Sequence, residues 1–168
     1  CIIDQRNKSQ EAQYWKDRFL YLTPCSDYFH STKNFMSFAK NYVSERLPEE
    51  FEVTGADRAD YLNRSMDYFS KNERFDTEHF EKEVLQHETL IDSFQKYRDD
   101  FQEEQDLDLD AQFTISAPAF KKQKRIFKSV LKLDKNFHIY IHGNRELIEH
   151  GVDEKGRKFY KIFYSEES

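Results

Sequence analysis

The chain has 168 residues, 35% of them charged and 16% aromatic, with 4 Gly and 3 Pro and a formal net charge of −6. That length suits a single domain that buries roughly 68–70% of its unfolded surface, and so few Gly and Pro argue against long flexible linkers. No run of 18 apolar residues occurs, so no membrane-spanning helix is expected and no membrane partner with it.

The net charge hides a division. Residues 1–111 carry 14 Lys/Arg against 25 Asp/Glu, whereas residues 112–164 carry 12 against 5. A basic segment behind an acidic one points to an anionic partner for the basic part, or to the two parts packing on each other. Cys1 and Cys25 have neither metal-pair nor disulfide-framework spacing, which reads as a reducing compartment. The start lacks a charged-then-apolar leader and begins with Cys rather than Met, so a piece of a longer protein is expected.

The pattern predicts an α+β chain: a mainly helical region over 1–111, then a basic antiparallel meander over 112–168, together one compact unit. In "SQEAQYWKDRFLYL", Ala12, Trp15, Phe19 and Leu22 recur at helical spacing behind Ser9, and Thr23-Pro24 ends the helix. In "SDYFHSTKNFMSFAKNYVSERL", Phe29, Thr32, Phe35, Met36, Ala39 and Val43 form a stripe that Pro48 is expected to stop. "DRADYLNRSMDYFSKN" offers Leu62, Met66 and Phe69. "DTEHFEKEVLQH" opens on Asp76 as a cap and shows Phe80, Val84 and Leu85. "ETLIDSFQKYRDDFQEEQ" adds Leu90, Ile91, Phe94, Tyr97 and Phe101. Such stripes read as core, since amphipathic helices need them to fold.

Beyond Asp110 the period shortens. "QFTIS" alternates as a strand does, and "APAFKKQK" reads as one short helix with Pro118 at its first position. "RIFKSVLKL", "FHIYIHG", "ELIEHGV" and "RKFYKIFY" follow as strand-like runs, with "DEKG" a turn before the last; together they suggest one antiparallel sheet. If Asp134-Lys135-Asn136 is the first hairpin's loop, Leu133 opposes Phe137, Lys132 opposes His138, Leu131 opposes Ile139, Val130 opposes Tyr140, Ser129 opposes Ile141 and Lys128 opposes His142. Apolar then meets apolar on one face, with Phe137, Ile139 and Ile141 inward, while a two-residue loop would mix the faces. The third loop position would take a positive φ, which Asn136 tolerates. The other face gathers Lys128, Lys132, His138, Tyr140 and His142. Lysines opposite histidines repel when the histidines charge, and a phosphate would relieve that repulsion.

"KKQKR" supplies Lys121, Lys122, Lys124 and Arg125 just before this hairpin, and Lys135, Arg145 and Lys158 lie further on, with Lys155, Arg157 and Lys161. Such side chains attract the nucleic-acid backbone without reading sequence. The twelve candidate contacts are therefore Lys121, Lys122, Lys124, Arg125, Lys128, Lys132, Lys135, His138, Tyr140, His142, Arg145 and Lys158; a solvated basic face is the plainer reading of the same residues. Tyr140, Tyr160 and Tyr164 could stack on bases or simply pack.

Metal and catalytic readings fare worse. His138 and His142 stand roughly 13 Å apart along a strand rising about 3.3 Å per residue, too far to share one zinc ion. Asp106, Asp108 and Asp110 have calcium-loop spacing, but Ala111 stands where the loop needs Gly and Ala117 where it needs Glu. No Gly-rich phosphate loop, G-x-S-x-G or H-E-x-x-H occurs. Neither catalytic residue, cofactor nor small-molecule substrate is expected.

"FKSVLKLDKNFHIYIHGNRELIEHGVDEKGRKFYKIFYSEE" resembles the C-terminal end of the bacterial nucleoid-associated protein family of the YejK (NdpA) type, and "KLDKNFHIYIHG" with "RELIE" is most similar to Bacteroidetes-like versions. "EAQYWKDRFL" and the helix holding Thr32 resemble the family's middle region. The match is strong over about 127–164 and loose over most of the rest, and family members extend further at the N-terminus. The resemblance implies a cytoplasmic, nucleoid-located protein that binds double-stranded DNA with little sequence preference. It supplies no list of contact residues. A protein-interaction or dimerisation module whose DNA contacts lie elsewhere is the alternative, and homodimerisation fits both. A metal-dependent nuclease using His138, His142 and nearby carboxylates is the third reading.

Overall fold

A computed structural model describes residues 27–105, 109–125, 127, 129–142 and 145–167. The helix expected around Trp15 and the Thr23-Pro24 stop lie outside them. The order is the expected α+β one, helices first and antiparallel strands towards the C-terminus.

Helix α1 (Tyr28–Asn41) starts where Asp27 accepts the His30 N–H at 2.9 Å, a side-chain cap for an otherwise unpaired donor. Its stripe is buried as expected from Thr32 to Val43, and Phe38 and Tyr42 join it from a second row. Pro48 does not stop the chain. A widened π-helical turn (Tyr42–Arg46) intervenes, in which Leu47 N–H bonds Tyr42 O, and the helix resumes as α2 (Leu47–Glu50) with Pro48 in its first turn. A first-turn residue needs no intrahelical N–H bond, so proline is tolerated there. The helix ends instead at Phe51, which is extended.

Helix α3 (Gly55–Lys71) opens with a capping box, Thr54 and Asp57 each bonding the other's backbone N–H. Strand β1 (Arg74–Asp76) leads into α4 (Thr77–Phe80), capped by Asp76 as expected, then a second π-helical turn (Glu81–Leu85) and α5 (Glu88–Gln105). Strand β2 (Gln112–Thr114) returns to pair antiparallel with β1, setting Phe75 opposite Phe113. Helix α6 (Ala117–Gln123) carries Pro118 in its first turn behind a Ser116 cap and packs on α1, where Thr32 Oγ1 accepts the Ser116 N–H at 2.9 Å.

The main core is aromatic. Phe35, 1% exposed, lies with its ring centroid within 6.4 Å of those of Phe38, Phe69, Phe75, Phe80, Phe94 and Phe113. Phe75 is stacked between Phe69 at 5.5 Å and Phe113 at 4.6 Å. Each such pair adds about 0.5–1.5 kcal/mol beyond area burial. The buried Tyr42 hydroxyl is bonded: it reaches Leu90 O and Ser93 Oγ, and burial pushes its phenol up to about 12.

The C-terminal runs form two hairpins, β3 (Val130–Leu133) with β4 (Phe137–Tyr140), and β5 (Ile148–Val152) with β6 (Lys158–Ile162). They do not join one sheet; with β1–β2, the described strands make three separate two-stranded sheets. The expected register holds pair for pair from Val130–Tyr140 to Leu133–Phe137, around a three-residue loop. The positive φ falls on Asp134 (51°), not on Asn136; Asp enters the left-handed region for the same reason, a short polar side chain. Asp153 and Gly156 close the turn of the second hairpin, with Gly156 at φ 77°.

One buried carboxylate tests this packing. Glu81 is 3% exposed; its Oε2 accepts from Gln95 at 2.9 Å, while Oε1 has only Arg98 at 3.9 Å and no hydrogen bond among the described residues. Burial raises its pKa, against the opposing pull of Gln95 and Arg98. A raised folded pKa means the folded state holds the proton more tightly. The stabilising contribution is thus full below the ordinary Glu value of about 4.3 and is lost as pH rises through the folded value. Glu81→Gln removes this loss, so the stability of the variant relative to the parent should grow as pH rises from about 4 to about 7. Urea unfolding at several pH values checks it, and a pH-independent difference would refute it.

Candidate nucleic-acid interface

Both hairpins sit on α3, on a stripe distinct from the one that enters the aromatic core. Leu62, Ser65 and Phe69 face the core, whereas Gly55, Ala56, Ala59 and Asn63 meet the hairpins. A Cβ at Gly55 would lie 2.6 Å from Leu131 Cδ1, so any larger residue there would displace the Leu131 side chain. Leu131, Ile141 and Ile148 bury against Ala56 and Ala59, with Leu133, Ile139 and Tyr160 beside them. Asn63 fixes the depth: its Nδ2 donates to Ile141 O at 3.0 Å and its Oδ1 accepts from Ser129 Oγ at 2.5 Å. Arg145 pins the second hairpin, donating to Asp57 Oδ1 at 2.6 Å and to Ile148 O. Burial pushes the Asp57 carboxyl up, but its bonds to Thr54 and Arg145 outweigh this and hold it below the usual range.

The structure sorts the sequence-derived candidates into groups. Lys121 and Lys122 on α6, and Lys124 and Arg125 after it, are all exposed. Lys132, His138, Tyr140 and His142 are exposed on the outer side of the first hairpin, and Lys135 is exposed at its turn. Lys158 is exposed at the start of β6. Lys128 lies outside the described residues. Arg145 is 27% exposed and held by Asp57, so it braces the fold rather than facing solvent. Arg125 and Ser129 are four positions apart, so the end of the α6 cluster and the residue before β3 lie at most about 14 Å apart.

Pairing divides the cations further. Arg46, Arg64, Lys71, Lys82 and Arg98 in the helical body each face a carboxylate. Arg157 faces Asp153 and Lys161 faces Glu149 on the second hairpin. Lys121, Lys122, Lys124, Arg125, Lys132, Lys135 and Lys158 form no ion pair among the described residues.

Three aromatic placements differ from the pattern. Phe137, expected inside, is 61% exposed because it follows the turn, beyond the reach of α3. Tyr160 packs in the second core, whereas Tyr140 and Tyr164 are 62% and 71% exposed. Phe159 and Phe163 were not singled out, and they too stand partly in solvent; Phe159 lies across Gly151, and Lys161 lies 4.5 Å from the Phe163 ring centroid. Strand alternation alone could have flagged Phe159, since it opposes a glycine that leaves its ring uncovered on one side.

A cavity of about 1160 Å³ opens between the two hairpins and the loop after α2. Glu49, Glu50 and Glu52 contribute to its lining from α2 and the loop after it, and Lys132, Asp134, His150 and Lys158 from the hairpins. No group of three or more His, Cys, Asp or Glu among the described residues is arranged to hold a metal ion. No described helix is long and apolar enough to cross a membrane.

These features define an α+β protein with an acidic helical body that presents basic and aromatic hairpins to its surroundings. The chain belongs to the nucleoid-associated protein YejK family, whose model matches residues 1–165. No curated protein matches it. No solved structure matches it either. The family carries a nucleoid-associated role, as the sequence resemblance implied.

The docking geometry has a direct check. Asn63→Ala removes the side-chain donor to Ile141 O and leaves Ser129 Oγ only the Ala59 carbonyl at 3.3 Å, and should cost about 1–3 kcal/mol. Amide hydrogen exchange should quicken in β3–β4 while α5 stays protected. Uniform exchange across both regions would show that Asn63 does not hold the hairpin.

Proposed function

We propose that the protein binds double-stranded DNA with little sequence preference, without catalysis, through the basic segment that runs from α6 into the first hairpin. The observation that carries this is the density of exposed cations without an ion pair among the described residues, six within residues 121–135, whereas in the acidic helical body such cations, Lys33, Arg74 and Lys96, are scattered along the chain. Lys121, Lys122, Lys124, Arg125, Lys132 and Lys135 would meet phosphates, as would Lys128 on sequence grounds, with His138, Tyr140 and His142 beside them. Lys158 would extend the contact along β6. Arg145 acts one step removed, by fixing the second hairpin on α3. Such contacts neutralise backbone charge and release counterions, and they carry no base readout. A nucleoid, cytoplasmic location follows from this reading and from the family.

Homodimerisation is the second reading, and it rests on a different surface. Leu147, just before the second hairpin, and Val152 and Ile162 at its two ends are 47%, 59% and 47% exposed, aliphatic side chains that a second copy would cover.

Fluorescence anisotropy with a labelled duplex across a salt series tests the DNA reading. Log affinity should fall linearly and steeply with log salt, with a slope near −0.9 per phosphate contact. Changing Lys121, Lys122, Lys124 and Arg125 together to Glu should abolish binding at moderate salt while leaving the circular dichroism unchanged. A folded quadruple variant that binds as tightly as the parent would remove the α6 cluster from the interface.

A further inference from the structure

We propose that the outer face of the β3–β4 hairpin is a stacking platform for unpaired DNA, so that the protein favours single strands over duplex; this rests on the DNA-binding reading above. Of the nine large apolar side chains most exposed among the described residues, eight lie between Phe137 and Tyr164, and five are aromatic: Phe137, Tyr140, Phe159, Phe163 and Tyr164. The acidic helical body contributes only Tyr28. Exposed rings gathered on the basic segment are the pairing that single-strand binding uses: cations track the backbone while rings take the bases.

Within that segment the two hairpins differ. The outer face of β5–β6 carries Glu149, which holds Lys161 at 3.3 Å, and the Phe159 ring is already laid across Gly151. The outer face of β3–β4 carries Lys132, His138 and Tyr140, with His142 exposed beyond them, and no carboxylate among its described residues. Tyr140 is 62% exposed and makes no ring contact among the described residues, so its faces are open to a base. Same-face side chains along a strand recur about every 6.6 Å, a step that one nucleotide of an extended strand can match. The flanking imidazoles are planar and add stacking area.

A duplex keeps its bases stacked inside and offers this face only phosphates. A single strand offers phosphates to Lys132 and a base to Tyr140 at once. Every base has a π-face, so the preference carries no sequence requirement.

The test compares a labelled oligothymidylate with a labelled duplex of the same length, at one salt concentration, against the parent chain, Tyr140→Ala and Tyr140→Phe. The single strand should bind more tightly than the duplex. Tyr140→Ala should weaken single-strand binding by roughly fivefold or more, as stacking on one base implies, with duplex binding within about twofold of the parent. Tyr140→Phe, which keeps the ring, should restore it. Equal affinity for both DNAs, or equal losses on both in Tyr140→Ala, would overturn the platform and leave the phosphate reading standing. Absence of binding to either DNA at low salt would overturn both. If sedimentation shows a dimer that Tyr140→Ala dissolves while DNA binding is unchanged, the face is a protein interface and the platform is likewise overturned.

Discussion

Helix α3 has to serve two packing surfaces at once, and the rest of the structure follows from that constraint. On one stripe, Leu62, Ser65 and Phe69 enter the aromatic core. On another, Gly55, Ala56 and Ala59 are too small to hold a hairpin away. A two-stranded hairpin alone in water is marginal, so each C-terminal hairpin depends on burying its inner face here. Leu131, Ile139 and Ile141 supply that burial for the first, Ile148 and Tyr160 for the second. The polar bonds of Asn63 and Arg145 add little to area burial, but they set register and depth, because a misplaced hairpin would strand Ile141 O and the Asp57 carboxylate.

Much of this was legible in the sequence. The helical stripes, the cap at Asp76, the short helix opening with Pro118, the register of β3–β4 and the turn at Asp153–Gly156 all rest on local rules of period, capping and turn chemistry, and those rules act within a few residues. What escaped was set at longer range. The pairing of β2 with β1 brings residues 112–114 against 74–76, through contacts that no local pattern reports. The separation of the strands into hairpins depends on α3 standing beneath both. Pro48 misled because the widened turn before it, which makes proline harmless, is not visible as a motif. Phe137 misled because alternation gives the face of a side chain but not the extent of the surface beneath it.

The candidate interface was legible as a composition and not as a geometry. The charge division is a sequence property, and it marks the segment in which Lys121, Lys122, Lys124, Arg125, Lys132, Lys135 and Lys158 form no ion pair among the described residues. Which cations are unpaired is not, since Arg145 and Lys161 look like the others in sequence and differ only by having Asp57 and Glu149 as neighbours across the fold. Likewise Tyr140 and Tyr160 occupy similar strand contexts, yet one meets solvent and the other meets Gly55.

The same dependence on α3 bears on how a hairpin could discriminate between partners. A flexible loop bearing lysines follows any phosphate backbone, and its affinity depends on charge alone. A ring adds discrimination only if it is held at a fixed height and angle, because ordering it on binding would consume much of the stacking gain. Tyr140 itself touches little, but Ile139 and Ile141 on either side of it are turned into the second core, and Ile141 N–H and O are bonded to Ser129 and Asn63. The backbone beneath the ring is therefore fixed from below while the ring stays open above. That arrangement costs nothing in core packing, since the outer row of a hairpin is free to vary once the inner row is buried. On the DNA-binding reading, an acidic body would repel DNA and a braced basic face would attract it, so that contact would need no pocket to close.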